Sequence, residues 1–102
     1  MRTVVGCLLV LVSSWASGQL TLPRLFADHM VFQRNAPTKV WGWADPKAKV
    51  IINFDNQESK VKANAEGYFE AYLKAREASG PYTMSVVSGD DEKIFQDILI
   101  GD

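Results

Sequence analysis

Side chains that could carry out nucleophilic or acid–base chemistry are few and scattered along this chain. A serine hydrolase needs a nucleophilic serine, a histidine base and an acid that orients the histidine. The only histidine is His29, next to Asp28, and the serines beyond residue 18 are Ser59, Ser79, Ser85 and Ser88. None of these serines stands in the glycine-flanked motif of a nucleophile elbow. We therefore predict no catalytic residue in this chain and no cofactor.

Metal ligands are equally sparse. A transition-metal site needs several converging His, Cys or carboxylate groups, and the chain has one histidine and one cysteine. Asp90, Asp91 and Glu92 fall together in a turn and could hold calcium weakly, but they lack the spacing of an EF-hand loop. We predict a solvated acidic turn and no metal site.

Trp41-Gly42-Trp43 is the most distinctive local pattern. On a strand, residues at i and i+2 project from the same face, so the two indoles would lie side by side. Together with Tyr68 and Tyr72 they could contact a carbohydrate by stacking on its rings. Alternatively, the two indoles cover the hydrophobic core, with Gly42 relieving the crowding behind them. Core packing is the more common role of large aromatic side chains, and it is the favoured interpretation here.

The first eighteen residues have the pattern of a secretory signal peptide. Arg2 supplies the positive charge, Val4–Val12 is apolar, and Ala16-Ser17-Gly18 places small residues before a cleavage point at Gln19. The apolar run is too short to cross roughly 30 Å of hydrocarbon, so we expect no membrane anchor. These residues predict entry into the secretory pathway, with extracellular and lysosomal destinations both open.

Composition bounds the remaining possibilities. A chain of 102 residues is one domain in size, and 47% apolar residues with 23% charged residues are ordinary for a globular protein. The net charge of −1 leaves no basic excess for nucleic acid or for an anionic membrane surface.

Short segments that alternate with period two are separated by turn residues at intervals of about ten residues, which is typical of a sandwich or barrel. The residues predict about seven or eight short strands, which form a small antiparallel, Greek-key-like β-sandwich over residues 19–102. The clearest segments are His29–Gln33, Lys39–Ala44, Lys49–Phe54, Glu58–Ala63, Tyr68–Leu73, Tyr82–Ser88 and Phe95–Ile100.

The last strand is unusual because Ile98-Leu99-Ile100 is apolar on both faces. Such a run is typical of a strand buried on both sides. Either it is a final strand tucked into the sandwich, or the chain is truncated before a further domain. We favour truncation, because natural termini usually end in polar, frayed sequence.

Four segments resemble the amino terminus of the sialate O-acetylesterase family: Leu22–Arg34, Ala36–Ala44, Gly80–Met84 and Asp97–Asp102. The resemblance extends over essentially the whole of residues 19–102. In that family a small β domain precedes an SGNH-type hydrolase domain, which removes O-acetyl groups from sialic acids. The resemblance implies that the nucleophilic serine, the oxyanion-hole donors and the later Asp and His all lie beyond Asp102.

The resemblance therefore predicts a non-catalytic fragment whose partner is its own missing hydrolase domain, with sialylated glycans as possible ligands. The alternative is a free-standing carbohydrate-binding or structural β-sandwich module. Exposed aromatic residues on the strands motivate the carbohydrate-binding alternative.

Overall fold

The computed structural model describes residues 19–101, so the predicted signal peptide, including Cys7, lies outside the described residues. Within this range the fold is all-β, with seven strands and no helix, which confirms the predicted fold class. The strands are β1 (Val31–Gln33), β2 (Thr38–Trp43), β3 (Lys49–Phe54), β4 (Gln57–Lys62), β5 (Tyr68–Leu73), β6 (Ser79–Ser88) and β7 (Asp91–Gly101).

The strands form a five-stranded sheet in the order β1-β7-β6-β3-β4 and a two-stranded sheet of β2 and β5. All pairs but one are antiparallel; β1 and β7 run parallel, with Val31 opposite Leu99. Strand β7 therefore lies between two neighbours, and Ile98 and Ile100 are buried in the sandwich. Leu99 projects from the opposite face beside Val31, and both side chains are about half exposed.

One hydrophobic core joins the two sheets. Alternating residues of β3 and β5 face it, since Val50, Ile52 and Phe54 are buried while their sequence neighbours are not. Every strand except the edge strand β4 contributes buried apolar side chains. The core consists of Leu20, Phe26, Phe32, Val40, Ala44, Val50, Ile52, Phe54, Ala63, Phe69, Ala71, Leu73, Met84, Val86, Ile98 and Ile100.

The segment before β1 closes the core on the side of β2. Leu20 is 1% exposed, and its backbone N–H donates to the Asp91 carboxylate at 3.0 Å. Thr21 exchanges two backbone hydrogen bonds of 2.8 Å with Trp43, so the segment extends the small sheet by one bridge. A Cβ atom on Gly42 would overlap the carbonyl oxygen of Thr21. Glycine is needed at this position because the two backbones approach closely there.

Candidate functional site: an aromatic face on the small sheet

The outer face of the two-stranded sheet brings together all four residues predicted from the sequence as carbohydrate contacts. Strand alternation sends Val40 and Gly42 inward, while their neighbours on β2 project outward. The same alternation on β5 sends Phe69 and Ala71 inward. We call the outward set the aromatic face; it consists of three cross-strand pairs, Trp43–Tyr68, Trp41–Glu70 and Lys39–Tyr72.

One end of the aromatic face is formed by Trp43 and Tyr68. Their ring centroids are 5.9 Å apart with an interplanar angle of 62°, the edge-to-face arrangement that aromatic quadrupoles prefer. Trp43 is 44% exposed, so much of its ring is open to a ligand. At the other end Tyr72 is 57% exposed. The rings of Trp43 and Tyr72 are therefore not buried in the hydrophobic core.

Trp41 is held differently from Trp43. Its indole packs edge-on against the buried ring of Phe26 at 5.2 Å and is partly buried beside the core. The Lys39 ammonium also lies over the Trp41 ring, 5.3 Å from the ring centroid. The favoured interpretation, in which both indoles cover the core, thus fits Trp41 better than Trp43.

A polar group lies at the centre of the aromatic face. The Tyr68 hydroxyl donates to Glu70 Oε1 at 2.8 Å, and Lys39 Nζ lies 3.4 Å from the same oxygen. The hydrogen bond from Tyr68, and then the one from Lys39, lowers the pKa of Glu70. The bond to Glu70 raises the pKa of Tyr68 and, likewise, that of Lys39. At neutral pH Tyr68 is therefore a neutral phenol, while Lys39 and Glu70 form an ion pair.

This arrangement suits binding better than catalysis. Aromatic rings offer flat apolar surfaces, and the Lys39–Glu70 pair offers donors and acceptors for hydroxyl groups. The six residues include no serine, cysteine or histidine and carry no net charge at neutral pH. Sequence reasoning missed Lys39 and Glu70 as part of this face. Alternation places each residue on the outer face of its own strand, but only the β2–β5 register shows that the two strands are neighbours.

His29 lies away from the aromatic face. It precedes β1 and contacts the irregular middle of β7. The strand takes one extra residue relative to β6 near Gln96 and Asp97, and Asp97 has a φ of 60°. Gln96 accepts a hydrogen bond from the His29 N–H and donates to Asp28. The His29 Nδ1 atom is 2.7 Å from Asp97 Oδ2, and the pair is exposed at the surface.

No serine hydroxyl within residues 19–101 is hydrogen-bonded to His29. Of the four serines named above, Ser79 bonds the carbonyl of Glu77 and accepts from the Tyr82 hydroxyl. The pairing of His29 with Asp97 was not anticipated, since 68 positions separate the two residues.

Among the described residues, no group of three or more His, Cys, Asp or Glu side chains is arranged to hold a metal ion. In the acidic turn, Asp91 accepts the hydrogen bond from Leu20. A membrane-spanning helix is likewise not found in this part of the chain.

A solved structure resembles this domain. The crystal structure of a carbohydrate acetylesterase from Xanthomonas citri matches the chain with 42% sequence identity and a TM-score of 0.79. The chain is similar in sequence and in fold to part of a carbohydrate acetylesterase. The match covers 81% of this chain and 19% of the esterase, so the chain spans about a fifth of the enzyme's length. Neither the models of known protein families nor the curated proteins give a match.

Proposed function

We propose that this chain is the non-catalytic β domain of a carboxylic ester hydrolase that resembles sialate O-acetylesterases and works in the secretory pathway. The similarity to a carbohydrate acetylesterase carries the proposal. At 42% sequence identity, the match shows more than a shared fold. The position of His29 supports it, because this histidine bonds a surface aspartate and no serine of the described residues. The chemistry then belongs to a hydrolase domain that follows this one.

The exposed apolar pair on the outer face of β1 and β7 supports the same proposal. Val31 and Leu99 are opposite each other in the parallel register and are 52% and 45% exposed. Adjacent exposed aliphatic side chains favour contact with another protein surface. The hydrolase domain is the partner that we propose for this face.

Two experiments test this proposal. The purified, secreted chain is incubated with an O-acetylated sialic acid and, separately, with an aryl acetate, and released acetate is measured. We expect no release above the buffer rate. Turnover that disappears in the His29→Asn variant would show that the chain is itself an esterase.

The second experiment sequences the transcript past codon 102. It should show an open reading frame with a serine-centred block, and an immediate stop codon would argue against a following hydrolase domain.

A second candidate function is carbohydrate binding by the domain itself. The observation that favours it is the aromatic face, where Trp43 and Tyr72 remain exposed at opposite ends of one surface. Sialylated glycans and their neutral desialylated counterparts are titrated against tryptophan fluorescence. We expect a saturable shift that Trp43→Ala abolishes and that Leu25→Ala, at an exposed site outside the face, leaves unchanged. Absence of any shift with both glycans removes this candidate.

A further inference from the structure

Four of the seven lysines gather on one hairpin and the turn before it, although the chain as a whole is slightly acidic. Lys49 on β3 lies directly opposite Lys62 on β4, and Lys60 follows two positions along on the same outer face. Lys47 stands in the preceding turn, with a φ of 64°. The four exposed side chains, here called the lysine cluster, border a shallow depression of about 410 Å³.

In the part of the chain that the structure describes, the lysine cluster lacks the ion pairs that several other cationic groups of the domain form. Lys39, Arg76 and His29 each have a carboxylate within 3.4 Å. Within residues 19–101, none of the four clustered lysines forms such an ion pair. The acidic residue on the same face of β4 is Glu58, which lies opposite Asn53 and away from the cluster. On its far side, Lys49 borders a cleft with Asp45 and two residues of the acidic turn.

Like charges directly opposite each other on neighbouring strands destabilise a sheet. The Lys49–Lys62 pair therefore costs stability unless an external anion lies between the two ammonium groups. Lys60 and Lys47 extend the positive surface to either side, which suits an extended polyanion better than a single small ion. Lysine ammonium groups act as point charges and do not require one fixed anion geometry.

From these observations we propose that the lysine cluster binds an anionic polysaccharide through its sulfate or carboxylate groups. This proposal is independent of the proposed esterase function, because it depends only on the charges of β3 and β4. The surface also differs from the aromatic face, whose single lysine is already paired with Glu70.

The test uses the full chain, purified from the medium of secreting cells. Binding to heparin, which carries sulfates, and to colominic acid, which carries carboxylates, is measured by titration at ~50 and ~200 mM salt. Engagement of all four lysines predicts a loss of about 100-fold in affinity between these salt concentrations. Lys49→Gln/Lys62→Gln keeps two lysines, and its affinity should change only about 10-fold over the same range.

The matched control is Lys74→Gln/Lys93→Gln, which removes the same net charge at two sites outside the cluster. It should bind like the unmodified chain. Equal losses in the two double variants would reduce the effect to net charge and overturn the proposal. So would absence of binding to both polysaccharides at the lower salt, or stronger binding to vesicles with phosphatidylserine than to either polysaccharide.

Thermal unfolding guards against a folding artefact. Removal of the opposed charges should leave the melting temperature of Lys49→Gln/Lys62→Gln equal to or above that of the unmodified chain. If the double variant melts lower, Lys60→Gln, opposite Ile51 on the exposed face, replaces it. The single variant should show a smaller loss of polysaccharide affinity in the same direction, and an unchanged affinity would refute the proposal.

Discussion

Leu20 anchors the segment that borders the aromatic face, and its truncation to alanine should weaken the domain considerably. The side chain is 1% exposed and belongs to the single core, while its N–H donates to Asp91. Replacing a fully buried leucine with alanine typically costs 2–5 kcal/mol, from lost burial plus the cavity that remains. We expect about 3 kcal/mol, because surrounding strands can only partly close the gap.

This loss is large for a domain of this size. Small domains are stable by about 5–15 kcal/mol, so Leu20→Ala should remove a substantial share of the free energy of unfolding. With a denaturant slope of about 2.5 kcal/mol/M in guanidinium chloride, the unfolding midpoint should fall by about 1.2 M. Tryptophan fluorescence reports the transition directly, since the anchored segment pairs with Trp43.

The matched control is Leu25→Ala, the same substitution at a side chain that is 61% exposed. It should change the free energy of unfolding by less than about 0.5 kcal/mol. A shift of similar size in both variants would refute the packing argument. An unchanged midpoint in Leu20→Ala would show that the segment is not part of the core.

Three further predictions concern the same region. Gly42→Ala should lower the free energy of unfolding by about 2 kcal/mol in the same denaturation assay, because its methyl group would overlap the Thr21 carbonyl oxygen; an unchanged midpoint contradicts the close approach. Because the pKa of Tyr68 is raised, its phenolate absorbance should appear at higher pH than that of an ordinary tyrosine in an alkaline titration. The bond to Glu70 therefore contributes to the free energy of unfolding below the usual tyrosine pKa, and this contribution is lost as the pH rises through the raised pKa. Glu70→Gln should shift this titration back toward lower pH, and an unmoved curve argues against the bond. Amino-terminal sequencing of the secreted chain should begin at Gln19, and a sequence that begins at Met1 would rule out cleavage.

The strands could be predicted well because a period of two is a local property. Alternation in Lys49–Phe54 and Tyr68–Leu73 predicts β3 and β5 with the bounds that the structure shows. Strand β1 begins two residues later than expected, because His29 takes a positive φ that a strand does not allow. Strand β7 begins at Asp91 and not at Phe95, because pairing with β6 continues to the hairpin turn.

Pairing between distant strands could not be predicted in the same way. Hydrophobic alternation shows which face is buried but not which strand lies alongside, so the parallel contact of β1 with β7 gave no local signal. The spacing of Trp41 and Trp43 placed them on one face, whereas their neighbours Tyr68 and Glu70 required the register. The lysine cluster could not be predicted for a related reason. The net charge of the chain does not show which lysines the β3–β4 register brings together.

The parallel contact between β1 and β7 also affects how the domain forms during synthesis. Asp28 and Gln96, which bond where these strands approach, are 68 positions apart, and Leu20 and Asp91 are 71 positions apart. A nascent chain therefore exposes Phe32 and Leu20 until the final strand emerges, and closure of such distant contacts is slow. This early part of the chain therefore stays accessible longest to chaperones that bind exposed apolar segments. Slow synthesis of the last strand should thus reduce the yield of folded domain more than slow synthesis of the β3–β4 hairpin.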